Sequence, residues 1–132
     1  MLSIGVIGCG YWGPNLIRNF YNIDEAQVKT CSDLKMKRLK HMKSLYPSVD
    51  ITKDYKEIIN DDEIEAVVIA TPVSSHYSIA REALEAGKHV FVEKPLSSSV
   101  EEGIELVKMA REKKLVLFVG HTFVYTAAVN KI

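Results

Sequence analysis

The sequence predicts an α/β domain built as a doubly wound parallel sheet with helices on both faces. Three observations predict it. Short apolar runs alternate with longer amphipathic stretches along the chain, the pattern of repeated strand–helix–strand units. One run, Ala66-Val67-Val68-Ile69-Ala70, is apolar at consecutive positions, as a central parallel strand covered on both faces requires. The chain also opens with an apolar strand, a glycine-rich turn and an amphipathic stretch in that order. At 132 residues the chain is expected to form one domain, and a domain of that size buries roughly two-thirds of its unfolded surface.

The first element is the run Leu2 to Ile7. Gly8, Gly10 and Gly13 follow at the spacing G-x-G-x-x-G, then Leu16, Ile17 and Phe20 at helical spacing. A loop that binds a dinucleotide needs this arrangement. Gly8 permits the tight turn out of the strand, Gly10 lets a pyrophosphate approach the backbone, and Gly13 lets the helix pack close to the sheet. The free N–H groups and dipole of that helix then face the phosphates. Pro14 suits the first helical turn, where its missing N–H is not needed. Tyr11 and Trp12, inside the loop, are candidate cofactor contacts, with packing the alternative for Trp12.

Gln27 to Cys31 alternates as a second strand, which Ser32-Asp33 ends. Asp33 stands twenty residues after Gly13, where a βαβ dinucleotide unit carries the acid that accepts hydrogen bonds from ribose hydroxyls. A carboxylate there repels a 2′-phosphate, so NAD is expected over NADP. The alternative is that Asp33 caps the next helix. Lys35, Lys37 and Arg38 follow closely and are near enough in sequence to reach a phosphate. They belong to a basic helix, Leu34 to Leu45, with Met36, Leu39, Met42 and Leu45 as its apolar face. A solvated outer face is expected rather than a nucleic-acid surface. No aromatic residues are interleaved as a single-strand platform requires, and the acidic segment Asp61 to Glu65 offsets the charge. Pro47 closes the helix, Val49 to Ile51 is a short third strand, and Asp54 to Ile59 is a short helix with Tyr55, Ile58 and Ile59 inward.

The fourth strand, Ala66 to Ala70, breaks at Thr71-Pro72. Ser74 or Ser75 then caps a helix through Ile79, Ala80, Ala83 and Leu84, and Gly87 ends it. The break lies at the carboxyl edge of the sheet beside the glycine loop, where ligands bind. Thr71, Pro72 and His76 are therefore candidate cofactor contacts, with a structural role the alternative for His76. His89 to Val92 is the fifth strand and runs into Glu93-Lys94-Pro95 at the same edge. Pro95 restricts the backbone after Lys94 and suits a cis bond. Ser97 to Ser99 with Glu101 and Glu102 reads as a capping box. The helix behind it is expected to turn Val100, Ile104, Val107 and Ala110 inward and to end at Lys113-Lys114. Leu115 to Val119 is a sixth strand, left by Gly120-His121-Thr122-Phe123. Right-handed crossovers then favour the strand order 3-2-1-4-5-6, a Rossmann domain.

Composition excludes several classes of function. Seventeen basic residues balance seventeen acidic ones, so nothing draws the chain generally to nucleic acid or an anionic membrane. No apolar run approaches the about 20 residues that cross a bilayer. Met1-Leu2-Ser3 leads directly into the first strand without a leader, so a cytoplasmic location is expected. Cys9 and Cys31 each end a strand and come within disulfide reach if strands one and two are neighbours, but free thiols are expected, since a core of this size needs no staple. Two cysteines fall short of a zinc ligand set, and no metal is expected.

The glycine loop, Asp33, Ala70-Thr71-Pro72 and Glu93-Lys94-Pro95 together resemble the amino-terminal domain of the Gfo/Idh/MocA oxidoreductases, over essentially all the residues. Gly10-Tyr11-Trp12-Gly13 with Gly120-His121-Thr122-Phe123 is further similar to the branch that oxidises nucleotide-linked sugars, such as UDP-N-acetylglucosaminuronate 3-dehydrogenases. The resemblance implies reversible hydride transfer between a sugar or polyol carbon and a nicotinamide. It places Glu93 and Lys94 near the nicotinamide, with Lys94 positioning the substrate hydroxyl and stabilising negative charge on its oxygen. It places His121 at the sugar pocket. It also implies a second α/β domain that supplies much of the sugar site and is absent from these residues. The expectation is thus a fragment of a longer enzyme that turns over little by itself and self-associates through exposed apolar surface. The competing reading is a stand-alone nucleotide-binding or redox-sensing module without catalysis, which has no need of Lys94.

Overall fold

The computed structural model describes residues 2–10, 17–18, 22, 24–93 and 95–120. Six strands form one sheet: β1 Leu2–Ile7, β2 Ala26–Ser32, β3 Asp50–Thr52, β4 Ala66–Ile69, β5 His89–Glu93 and β6 Leu117–Gly120. Their order is β3-β2-β1-β4-β5-β6, and every pair is parallel. This is the expected Rossmann order. Four helices connect the later strands: α1 Met36–Leu45, α2 Lys56–Ile59, α3 His76–Glu85 and α4 Val100–Lys113.

The sheet separates two cores, and β4 serves both. Its Ala66 and Val68 join Ile4, Val6, Ile17, Leu39 and Met42 on one face. Its Val67 and Ile69 join Ile58, Ile79, Leu84 and Leu106 on the other. All four β4 residues are buried, which is the physical reason this strand is apolar at every position. Helix α1 contributes only Leu39 and Met42 to the core, while Met36 and Leu45 are exposed. It begins two residues later than the sequence suggested, because the Asp33 carboxylate accepts the N–H of Lys35 at 2.8 Å and holds a turn there. Lys37, Arg38, Lys40 and His41 lie on its exposed side, as expected of a solvated face.

Helix α3 is entered differently from the expectation. Val73–Ser75 form a 3₁₀ turn, and Ser75 makes no side-chain cap, its backbone being already helical at φ −103° and ψ −4°. Gly87 ends the helix at φ +80°, with the N–H of Lys88 donating to the carbonyl of Ala83. The Lys88 side chain is buried and donates to the carbonyls of Asp61 and Ile64 at 2.8 and 2.7 Å; burial lowers its pKa below the usual lysine range.

Helix α4 is capped as expected, Ser99 Oγ accepting the N–H of Glu102. Its buried face, however, is Leu106 and Ala110. Val100, Ile104 and Val107, expected inward, are 74%, 62% and 44% exposed. The two stripes lie roughly a third of a turn apart round the helix. The close side of the helix is the one carrying Gly103, whose bare backbone faces Ser97 and Leu96, while Glu105 at the rim pairs with Arg81 of α3 at 3.1 Å. Leu106 and Ala110 join the core with Ile79, Leu84 and Val92, and this packing leaves the larger aliphatic stripe outside. After α4, Lys114 is left-handed at φ 58° and the N–H of Leu115 returns to the carbonyl of Ala110. This closure keeps Leu115 out of the sheet, so β6 starts at Leu117.

Candidate functional site

The sheet reverses its winding between β1 and β4. At the carboxyl ends of these strands lies a cleft of about 620 Å³, walled by Gly8, Gly10, Asp33, Arg38, Thr71 and Pro72 among others. Gly8 leaves β1 at φ +102°, and a Cβ there would stand 2.7 Å from the carbonyl oxygen of Ala70. Only glycine turns the chain so close to the end of β4. Its N–H donates to the carbonyl of Ser32 at 2.8 Å, which holds the loop against β2 as well.

Asp33 ties β2 to this loop. Its Oδ2 accepts the N–H of Cys9 at 2.8 Å, its Oδ1 accepts that of Lys35, and its side chain is 7% exposed. It is not the N-cap of α1, which is Lys35 without a side-chain bond. Arg38 reaches back from α1 to lie 3.6 Å from Asp33 Oδ2. Its guanidinium also occupies the space beside Gly10, 3.2 Å from where a Cβ would be. Of the three cations flagged beside Asp33, Lys35 and Arg38 line the cleft and Lys37 does not.

Among the wall residues that sequence reasoning missed are Ser32, Lys53 and Tyr55. Lys53 and Tyr55 follow β3, and a signal for them was available in the strand order, which puts the end of β3 beside the end of β2. Tyr55 donates its hydroxyl to Glu82; burial, and then this carboxylate, push the phenol up to about 12. Lys35, Arg38 and Lys53 against Asp33 leave the cleft with an excess of cations, which suits an anionic ligand. Ser32 Oγ is buried without a hydrogen-bond partner among the described residues. Glycine where a Cβ would clash, an orphaned hydroxyl and a cation-rich wall together fit a dinucleotide, which brings phosphates and ribose hydroxyls.

Thr71 and Pro72 form the wall opposite Asp33. His76, expected beside the cofactor, is instead 2% exposed and absent from the cleft wall, its ring nitrogens lying 2.8 Å from the carbonyl of Pro95 and 2.7 Å from that of Thr71. Glu93 ends β5 beside Gly120 of β6. Its Oε1 is buried without a partner among the described residues, and burial raises its pKa above the usual carboxylate range. Tyr11, Trp12, Gly13, Lys94 and His121 lie outside the described residues. Among the described residues no cluster of three metal-ligating side chains occurs, and no helix is long and apolar enough to cross a membrane. Cys9 and Cys31 are free, buried thiols. The neighbouring Cys31 sulfur, and then burial, drive the Cys9 pKa upward.

Comparison with known proteins agrees with this geometry. Residues 2–121 match the oxidoreductase family with an NAD-binding Rossmann fold, Gfo/Idh/MocA. The chain is 33% identical to the scyllo-inositol 2-dehydrogenase (NADP(+)) IolW of Bacillus subtilis, over 91% of this chain and 33% of that protein. It is 32% identical to the myo-inositol 2-dehydrogenase of Thermotoga maritima, over 90% of this chain and 36% of that one. The crystal structure of GenD2 from gentamicin A biosynthesis, in complex with NAD, superposes with a TM-score of 0.88 at 29% identity, covering 94% of this chain and 35% of GenD2. The chain spans about a third of the length of the curated relatives it matches. A Rossmann sheet wound in this order, a glycine turn pressed against β4 and a match across nearly the whole chain lead to one conclusion: the chain belongs to the Gfo/Idh/MocA oxidoreductase family, as its dinucleotide-binding domain.

Proposed function

We propose that this chain binds NAD across the β1–β4 switch point and forms the cofactor half of a cytoplasmic dehydrogenase that acts on a sugar, polyol or nucleotide-sugar hydroxyl. The observation that carries the cofactor reading is Asp33, held at the cleft wall by the N–H of Cys9. A carboxylate fixed there has lone pairs left for ribose hydroxyls and repels a 2′-phosphate. Gly8 and Gly10, with Tyr11, Trp12 and Gly13, present backbone to the pyrophosphate, and Thr71 and Pro72 close the opposite side. The bound dinucleotide supplies a two-electron hydride carrier.

The catalytic part rests on the family motif and on the inositol dehydrogenases among the relatives. Lys94, beside Glu93 at the nicotinamide end, donates a hydrogen bond to the substrate hydroxyl and stabilises its oxygen as negative charge develops. His121 faces the sugar. A second domain completes the sugar site, so the present residues alone bind NAD weakly and turn over little. A stand-alone sensor needs Asp33 but not Lys94. Retained NAD binding with lost turnover in Lys94→Ala, in the two-domain protein, separates an enzyme from a sensor.

Arg38 supports a second reading for the cofactor, because its guanidinium stands beside Asp33 at the same wall and matches a 2′-phosphate. Calorimetric titration of the chain with NAD and NADP, repeated on Arg38→Ala, tests both. NAD binding tighter than NADP, with the preference increased in Arg38→Ala, supports the proposal. Tighter NADP binding that collapses in Arg38→Ala replaces NAD with NADP.

A further inference from the structure

His76 opens α3 and is 2% exposed. Its Nε2 lies 2.7 Å from the carbonyl oxygen of Thr71 and its Nδ1 2.8 Å from that of Pro95. These carbonyls belong to different crossover loops. Thr71 follows β4 and lines the cleft; Pro95 follows β5 and is bonded through its own nitrogen to Lys94. Carbonyl oxygens only accept, so both contacts are hydrogen bonds when both ring nitrogens carry hydrogen; with one hydrogen, the ring donates to one carbonyl and makes no hydrogen bond to the other. Thr71 is held a second time. Ser75 Oγ lies 2.8 Å from the carbonyl of Pro72 and 2.7 Å from Thr71 Oγ1. The serine hydrogen goes to the carbonyl, and the Thr71 hydroxyl donates to the serine.

We propose that His76 is a positioning residue. Its imidazole is a rigid strut that sets the loop after β5, at the Pro95 carbonyl, at a fixed spacing from the cleft wall at Thr71. The inference rests on the reading of Lys94 as the group at the reacting hydroxyl. A planar ring fixes the distance between its two nitrogens, so it couples the two loops as no flexible side chain does. Because the ring is buried and off the cleft wall, it acts on the geometry of the reacting end rather than on cofactor affinity.

In the ¹⁵N-labelled chain, His76→Leu is expected to move the amide resonances of Glu93 and Leu96 together with that of Thr71. His76→Gln, which keeps N–H donors, moves them less. In the protein carrying its substrate domain, His76→Leu is expected to lower kcat about 10- to 100-fold, the scale of a small misplacement at a reacting group. The NAD dissociation constant then changes less than about threefold, and His76→Gln recovers part of kcat. Resonance changes confined to α3 and Thr71, or a loss of kcat matched by an equal loss of NAD affinity, overturn the proposal. Lys94→Ala assayed alongside keeps the two readings distinct: unchanged kcat there removes the catalytic role of Lys94, while coupled resonance shifts leave the strut standing. Should His76→Leu fail to fold, His76→Gln carries both measurements against the wild type.

Discussion

The carboxylate of Asp33 accepts the backbone N–H of Cys9 at 2.8 Å, joining the acid that ends β2 to the glycine loop that ends β1. Asp33 is therefore part of the loop's scaffold as well as of the cleft wall. Asp33→Ala is expected to cost about 1–3 kcal/mol of stability, because it leaves a donor without its acceptor. The same variant is expected to weaken NAD binding by about tenfold or more. Urea denaturation and calorimetry read the two effects separately. Asp33→Asn, which retains an acceptor for Cys9, should recover more stability than affinity; recovery of both in equal measure would assign Asp33 to the fold alone.

Gly8→Ala tests the turn. The new Cβ meets backbone, the carbonyl of Ala70 at 2.7 Å, at a φ of +102°. Backbone cannot swing aside as a side-chain tip can, so a loss of about 2 kcal/mol or more is expected. A thermal midpoint unchanged from wild type would contradict this geometry.

The rotation of α4 makes a paired prediction. Leu106 is fully buried and Ile104 is 62% exposed. Leu106→Ala should cost about 2–5 kcal/mol, whereas Ile104→Ala should stay within about 0.5 kcal/mol. Denaturant midpoints measured for both decide it, since an inward Ile104 would reverse the ranking.

Glu93 makes a prediction about pH. Burial raises its folded pKa above the usual 4.5, while the unfolded chain has the usual value. The favourable contribution is fully present below that usual value, where the carboxyl is protonated in both states. It is lost as pH rises through the folded value, because the unfolded state gives up its proton first. Glu93→Gln removes this dependence. The variant should gain stability relative to wild type on passing from mildly acid to neutral buffer, as measured by urea midpoints in each. A difference that stays constant across that range would show that Glu93 does not titrate against burial.

The sequence by itself determined the strand order, the glycine turn at Gly8 and the place of Asp33 at the end of β2. These follow from local quantities: the apolar period of each element, the residues that break it, and the short right-handed crossovers that leave few topologies open. The consecutive apolar run of β4 even carried its central position. Boundaries were less legible where a turn competes with an element, as the Asp33–Lys35 bond does at the start of α1 and left-handed Lys114 does before β6. Only the tertiary structure decided which stripe of α4 is buried. Its apolar residues fall on two faces, and the buried one is set by the β4, α3 and β5 residues that Leu106 and Ala110 join in the core, all far away in sequence. It likewise decided that Arg38 lies over Gly10, that Lys53 and Tyr55 reach the cleft, and that His76 joins Thr71 to Pro95 beneath the wall. Each brings together residues of separate crossover connections, and no periodicity within one segment encodes where another segment's carbonyl or guanidinium will come to rest.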